Sequence, residues 1–402
     1  MEVIIEQLTA RVLGREYSFL AEDVAASEGT IREAVRDARI LVIGASGSIG
    51  SAFVKELVAY QLRALHLVDI SENTLVELVR DLRSSSCELP KDFATFAIDF
   101  GRAEMRALLA AESYDYVLNF SALKHVRSER DPLTLMRLLD VNILSNHRLL
   151  DWIEEHQQLR KVFSVSSDKA VRSGNLMGAS KAFMERIFLA RADKIPFGSA
   201  RFANVAFSDG SLLHSFRNRI AKGQPLSAPN DVRRYFISPQ EAGQLCLLGC
   251  FVCNNGEIDY PLFNPDEDMS TFATIARSFL ELQGLEPIEC SSEEEAKERA
   301  QSITLGRKQW PCYFSGSNTS GEKAFEEFVD PGEKVDEDRF QKVGVITAPM
   351  FHGYEPLKGA IDELYRMQNA GSWTMDDLIE TVRQAVPEMQ HVKAEQNLDQ
   401  KM

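Results

Sequence analysis

Between Arg39 and Phe202 short apolar runs alternate with stretches whose hydrophobic residues recur every three or four positions. The runs are Ile40–Ile43, Ala64–Asp69, Phe93–Ile98, Tyr116–Phe120, Lys161–Ser166 and Phe197–Phe202. They are too short for ordinary helices, and each of the first five is followed by an amphipathic segment, so the pattern predicts strand–helix alternation. Strands joined through helices run parallel, and nearly unbroken apolar strands suit a sheet covered on both faces. The expected fold class is α/β, with a doubly wound parallel sheet over 39–202.

Beyond Phe202 the periodicity loosens. Helices are predicted over Leu212–Lys222, Pro239–Val252 and Thr271–Leu282, with strands near Ile258–Leu262 and Pro287–Glu289. The acidic Ser291-Ser292-Glu293-Glu294-Glu295 opens another helix, because carboxylates favour a helix N-terminus. Two more helices are expected at Pro356–Met367 and Met375–Ala385, and the polar His391–Met402 reads as frayed. Ahead of the first strand, two short helices are expected around Leu13-Gly14-Arg15. The organisation is thus a helical segment 1–38, a sheet domain 39–202, a smaller α/β region 203–346, and a C-terminal helical appendage and tail 347–402.

A chain of 402 residues can bury a large core, and 44% hydrophobic with 26% charged residues is ordinary for a globular protein. The net charge of −15 argues against nucleic acid or an anionic membrane as partner. A small anion can still be held by helix N-termini and local cations. No apolar run approaches the roughly 20 residues of a membrane span. The start, Met1-Glu2-Val3-Ile4-Ile5-Glu6, is acidic where a signal peptide is basic, so a cytoplasmic protein is expected. Six cysteines fit a reduced compartment. Cys246, Cys250 and Cys253 have the CxxxCxxC spacing of a radical-SAM iron–sulfur site, but they fall in an apolar helical segment capped by Ser238. Packing cysteines are the expectation there, and no metal.

Gly44-Ala45-Ser46-Gly47-Ser48-Ile49-Gly50 closes the first strand and opens a helix. A GxxGxxG alone is a weak signal. Between a strand and a helix it marks a Rossmann-like dinucleotide site, where the backbone approaches the pyrophosphate and the helix N-terminus faces its charge. Gly44, Ser46, Gly47, Ser48, Ile49 and Gly50 are the expected contacts. Asp69 ends the second strand about 20 residues later, where an acid accepts from the ribose hydroxyls and repels a 2′-phosphate. Ile70 and Asn73 follow it and no Arg is adjacent, so NAD is favoured over NADP. Ser121 and Ala122, closing the fourth strand, should pass beneath the nicotinamide half.

Downstream lie Ser166-Ser167-Asp168-Lys169 and Met177-Gly178-Ala179-Ser180-Lys181. With the glycine turn they resemble the active site of an extended short-chain dehydrogenase/reductase. In that superfamily Ser/Thr and Tyr bind the reacting hydroxyl, and a Lys four residues after the Tyr binds the nicotinamide ribose. Ser167, Met177 and Lys181 occupy those places. Met carries no proton to transfer, so removal of the hydroxyl proton falls to Lys181, Asp168 or a bound water. Asp168 and Lys169 add an acid and a base at the same spot. The superfamily also implies that Asp99 and Phe100, ending the third strand, meet the adenine.

The motifs Ser166–Val171 and Asn175–Lys181 are similar to those of the polysaccharide-biosynthesis family of UDP-N-acetylglucosamine 4,6-dehydratases. Further matches are Ser121-Ala122-Leu123-Lys124-His125-Val126, Arg201-Phe202-Ala203-Asn204-Val205, Arg233-Arg234-Tyr235-Phe236 and Thr319-Ser320-Gly321-Glu322-Lys323 with Glu326-Glu327. The likeness is colinear from Leu13 to about Ile346. The family often has Thr at Ser167 and Gly at Ala203, its larger members carry N-terminal transmembrane helices, and 347–402 matches nothing in it.

The resemblance implies hydride transfer from the sugar C4 to NAD, which makes a 4-ketone and acidifies C5. Lys169 would take the C5 proton, given a depressed pKa, while Asp168 protonates the departing C6 hydroxyl and hydride returns to C6. Arg234 and Asn204, with Val205 beside it, would meet the nucleotide diphosphate, since Arg offers an always-charged fork. Lys124 and His125 would reach the sugar or nicotinamide, although His125 reads equally well as a structural histidine. Lys323 and Glu326 belong to a tail that folds over the nucleotide in relatives. The implied substrate is UDP-N-acetylglucosamine, with a GDP carrier left open, bound in the smaller region. A homo-oligomer is implied through helices around Pro132–His156 and Gly178–Ala192. A nucleotide-sugar 4-epimerase and a non-catalytic nucleotide-sugar- or NAD-binding protein are the alternatives.

Overall fold

A computed structural model of the chain describes residue 9 and residues 11–302, 308–316, 326–351 and 353–390. Its strands are β1 Arg39–Ile43, β2 Ala64–Asp69, β3 Asp92–Ala97, β4 Tyr116–Asn119, β5 Lys161–Ser167 and β6 Phe197–Phe202. Then follow β7 Asn204–Val205, β8 Leu226–Pro229, β9 Arg233–Ile237, β10 Glu257–Pro261, β11 Met269–Thr271, β12 Glu286–Glu289, β13 Gln309–Ser315, β14 Lys334–Asp336 and β15 Val343–Ala348.

Nine strands form one sheet in the order β14-β15-β10-β6-β5-β4-β1-β2-β3. From β3 to β10 every pairing is parallel, and β15 and β14 close the far edge antiparallel. The mostly parallel α/β sheet read from the sequence is therefore present, with three strands added from beyond residue 202. Successive strand residues point to opposite faces. Leu41 and Ile43 enter a core with the helices Pro132–Leu139, Leu176–Leu189, Tyr354–Ala370 and Met375–Ala385. Ile40 and Val42 enter the opposite one, with Ala21–Val35, Ser48–Leu57 and Pro239–Phe251.

Helix Pro239–Phe251 lies against Ser48–Leu57 so closely that a Cβ on Gly243 would come within 2.8 Å of the Ala52 carbonyl oxygen. Cys246, Cys250 and Cys253 are buried along and just after this helix, and burial raises their thiols well above the ordinary range. They pack as core residues. Thr9, Arg11 and Val12 are helical ahead of Gly14 and the helix Ala21–Val35 follows it, so helix stands on either side of Leu13-Gly14-Arg15; residues 1–8 and 10 lie outside the described residues.

The smaller region holds two three-stranded sheets, β11-β9-β7 and β12-β13-β8. Phe207, Phe216, Phe236, Phe279 and Trp310 share their core. The sequence pattern shows only β12 of these, because short strands such as Arg233–Ile237 carry no period of two that distinguishes them from loop.

The C-terminal pair docks on the chain itself. Helix Met375–Ala385 packs against Leu176–Leu189 and Pro132–Leu139, and Tyr354–Ala370 against Leu176–Leu189 and the π turn Asp140–Leu144. Trp373 Nε1 donates to the Pro132 carbonyl at 2.8 Å, and Arg186 pairs with Glu388. Part of the surface from which self-association was expected is thus occupied by the chain's own end. Among the described residues no helix is long and apolar enough to cross a membrane.

Candidate active site

The carboxyl ends of β1, β2, β4, β5 and β6 lie along one edge of the sheet, because the parallel register aligns Ile43 with Val68 and Asn119, Asn119 with Ser164, and Ser167 with Phe202. Chain order reverses between β1 and β4, where open α/β sheets form a ligand crevice. Gly44 sits there with φ +71, and a Cβ on it would meet Ser121 N at 2.6 Å. A Cβ on Gly50 would fall 2.1 Å from the Gly44 oxygen, so the helix start rests directly on the turn. Gly47 differs: its Cβ would have one neighbour, Gly44 O, at 3.4 Å. That flank of the turn is open to a ligand at the N-terminus of Ser48–Leu57.

Asp69 is tied into this turn. Its Oδ2 accepts from Ser46 N and its Oδ1 from Ser71 N, both at 3.0 Å. Ile70 beside it is exposed, as is Asn73 in the next helix. Asp99 accepts from Gly101 N at 2.9 Å and stands 3.6 Å from Arg137 Nη2, while Phe100 is buried. Ser121 N donates to Asn119 Oδ1 at 2.9 Å, and Ala122 is half-buried behind it. Ser48 Oγ accepts from Asp209 N at 2.8 Å, which brings the loop after β7 to the mouth of the turn. Ile49 is half-buried in the first turn of the helix.

At the end of β5, Ser167 Oγ donates to Asp168 Oδ1 at 2.7 Å and accepts from Lys169 N at 3.2 Å. Lys169 Nζ lies 3.3 Å from Asp168 Oδ1. Asp168 is buried, whereas the Lys169 side chain is 38% exposed, so the amine faces solvent and the carboxyl does not. Helix Leu176–Leu189 abuts this strand end: a Cβ on Gly178 would be 2.1 Å from the Lys169 oxygen. Met177 is buried in apolar surroundings. Lys181 Nζ donates to the Val165 carbonyl at 2.9 Å, and burial lowers its pKa to about 8 against the opposing pull of Glu185. Asn142, which the sequence pattern did not single out, accepts from Leu123 N and donates to Ser180 Oγ, each at 2.9 Å. The signal was an Asn between apolar residues in Val141-Asn142-Ile143-Leu144.

Lys124 Nζ donates to Ser208 Oγ at 3.3 Å, and burial lowers its pKa. His125 packs on Gly210, where a Cβ would meet its ring at 2.8 Å, and burial followed by Lys124 and Arg127 lowers its pKa too. Asn204, Arg234 and Glu326 form one cluster. Asn204 Nδ2 and Tyr235 N donate to Glu326 at 2.5 and 3.1 Å, and Arg234 Nε is 3.6 Å away. Burial, then the charge of Asp168, pushes Glu326 up to about 7. Val205 is held in β7 opposite Ile237. Lys323 lies outside the described residues. The edge as a whole gathers a carboxyl and an amine beside an alcohol, a buried lysine whose pKa is lowered to about 8, and polar donors on one buried carboxyl.

Known proteins resemble this chain along most of its length. The profile of the polysaccharide biosynthesis protein family matches residues 40–348. An "uncharacterized membrane protein" of Methanocaldococcus jannaschii is 33% identical over 230 residues, 56% of this chain and 66% of that protein. A UDP-N-acetylglucosamine 4,6-dehydratase (inverting) of Campylobacter jejuni is 27% identical over 231 residues, 55% of this chain and 66% of the enzyme. A UDP-glucose 4-epimerase of Rickettsia bellii is 28% identical over 260 residues, 62% of this chain and 71% of the epimerase. The chain thus spans just under two thirds of the first two. Among solved structures, Pen from Bacillus thuringiensis superposes with a TM-score of 0.62 at 20% identity, covering 78% of this chain and 89% of that one.

Proposed function

Because the chain belongs to the polysaccharide biosynthesis protein family, we propose that it is a nucleotide-sugar 4,6-dehydratase acting on UDP-N-acetylglucosamine with bound NAD. The observation that carries this reading is the contiguous Ser167–Asp168–Lys169 set, hydrogen-bonded at a strand end beside the buried Met177. An acid next to a base is what elimination of water requires; hydride transfer at C4 needs only a single base for the hydroxyl proton.

NAD supplies a hydride acceptor for C4 and a donor for C6. The residues that would hold it are Gly44, Ser46, Gly47, Ser48, Ile49 and Gly50 at the turn, Asp69 at the ribose and Lys181 at the nicotinamide end. The open flank at Gly47 and the carboxylate of Asp69 support that fit. Ser167 orients the sugar hydroxyl. The C4 hydroxyl proton goes to Lys181, Asp168 or a water, and the depressed pKa of Lys181 supports the first. Lys169 takes the C5 proton once C4 is a ketone, and Asp168 gives its proton to the C6 oxygen, which leaves as water. Arg234 and Asn204 bind the diphosphate in this reading.

A nucleotide-sugar 4-epimerase is the second reading, and the Rickettsia relative is what favours it. It leaves Asp168 and Lys169 without work. Incubating the full chain with UDP-N-acetylglucosamine, followed by mass spectrometry and NMR, tests both. A product lighter by one water is expected. An isomer of unchanged mass would replace the dehydratase by the epimerase, and unchanged substrate would leave a binding protein.

A further inference from the structure

Met177 brings no proton to the site, yet its main chain is gripped by a carboxyl group. Glu129 Oε1 accepts from Met177 N at 2.8 Å, and the Leu176 N–H also acts on this carboxylate. The next donor, Gly178 N, is taken at 2.8 Å by Asn175, the residue that caps the helix. The first turn of Leu176–Leu189 is therefore capped by two elements, one of them distant in sequence. Glu129 lies in the 3-10 turn Val126–Arg130, which directly follows Lys124 and His125 and packs on the helix. Its two N–H bonds favour the carboxylate; burial is the larger influence and raises its pKa.

The helix meets the reaction centre in three ways. Gly178 lets it rest on Lys169, Lys181 reaches Val165 on β5, and Glu129 ties it to the turn carrying Lys124 and His125. The third joins the two flanks of the crevice, alongside the Asn142 bridge from Leu123 to Ser180, and a misplacement of about 1 Å can cost 10²-fold in rate. We propose that Glu129 is a positioning residue for the reaction, acting as a hydrogen-bond acceptor that sets where Met177 and Lys181 stand relative to Lys124 and His125. The kinetic part of this proposal rests on the site carrying out chemistry on a nucleotide sugar; the structural part does not.

The test uses the full chain with Glu129→Leu, which removes the acceptor, Glu129→Gln, which keeps it, and Glu129→Asp, which keeps the charge on a shorter stem. For whichever product the wild type forms, kcat should fall roughly 10–100-fold in the Leu and Asp variants with KM little changed. Amide exchange at Leu176 and Met177 should accelerate in both. Gln should restore kcat and protection and leave the pH profile unchanged. A Gln variant that is well protected but as slow as Leu would make Glu129 a proton carrier and overturn the positioning role. Normal kcat in Asp with exchange accelerated would overturn it as well, and Asp settles the matter if Leu fails to fold. Absence of any turnover in the wild type would sink the enzymatic readings; unchanged exchange in all variants would sink this proposal alone.

Discussion

Arg201 grips Glu333 with both guanidinium nitrogens, Nη1 to Oε2 at 2.7 Å and Nη2 to Oε1 at 2.8 Å, on a part of the chain more than a hundred residues away. The same guanidinium holds Glu185 at 3.0 and 2.8 Å, and all three side chains are buried. Glu185 is one helical turn past Lys181. The clamp therefore ties the helix of Lys181 to the segment that follows Glu326. Removing Arg201 strands two carboxylates in the interior, which costs on the order of 3–5 kcal/mol. Arg201→Met should lower the urea midpoint strongly, and adding Glu185→Leu with Glu333→Leu should recover much of the loss. A single variant as stable as wild type would contradict the clamp.

Met177 packs among apolar side chains, whereas Lys181 Nζ is bonded to β5. Met177→Leu should keep most of the activity, being close in volume. Lys181→Ala should lose nearly all of it. Equal damage from both, measured as kcat on UDP-N-acetylglucosamine, would mean that the Met177 sulfur matters.

Asp168 and Lys169 have separate duties in the proposed elimination. Asp168→Asn and Lys169→Met should each bind substrate and slow turnover by roughly 10²–10⁴-fold. Exchange of the C5 hydrogen with deuterated solvent, followed by NMR, should survive better in Asp168→Asn, which keeps the base. The opposite order would exchange the two roles.

Glu326 titrates at about 7 in the folded chain, above an unfolded glutamate near 4.3. The fold therefore keeps a proton that the unfolded chain gives up first. This contribution to stability is full below about pH 4.3 and is lost as pH rises to about 7. Glu326→Gln cannot titrate, so between about pH 5 and pH 8 it should lose less stability than wild type. Parallel urea midpoints across that range would show that Glu326 is ionised throughout.

Leu364 on Tyr354–Ala370 and Val382 on Met375–Ala385 are fully buried against the helices they cover. Leu364→Asp buries a charge without a partner and should undock the pair. Dye binding to newly exposed apolar surface and a shift in size-exclusion behaviour would report it. A monodisperse, stable variant would show that the helices are not needed to cover that face.

The strands β1 to β6 were legible as short apolar runs because all but the edge strand β3 are buried on both faces, so their composition marks them, while their order in the sheet was not. The glycine turn and Ser167–Lys181 were legible for a related reason: a tight turn beside a strand and a run of chemically distinct side chains are local facts. The ends of β14 and β15 were not legible, since Lys334–Asp336 is a strand only because β15 lies beside it. Nor could the sequence show that Asn204, Arg234 and Glu326 converge, that Glu129 reaches Met177, or that Arg201 joins Glu185 to Glu333. Each of these pairs residues far apart along the chain, and which polar groups share a buried space is decided by packing. The sequence by itself determined the strand–turn–helix units and the chemistry at their ends. The tertiary structure decided which of those ends meet, because desolvated charges and amides must find partners wherever the fold places them.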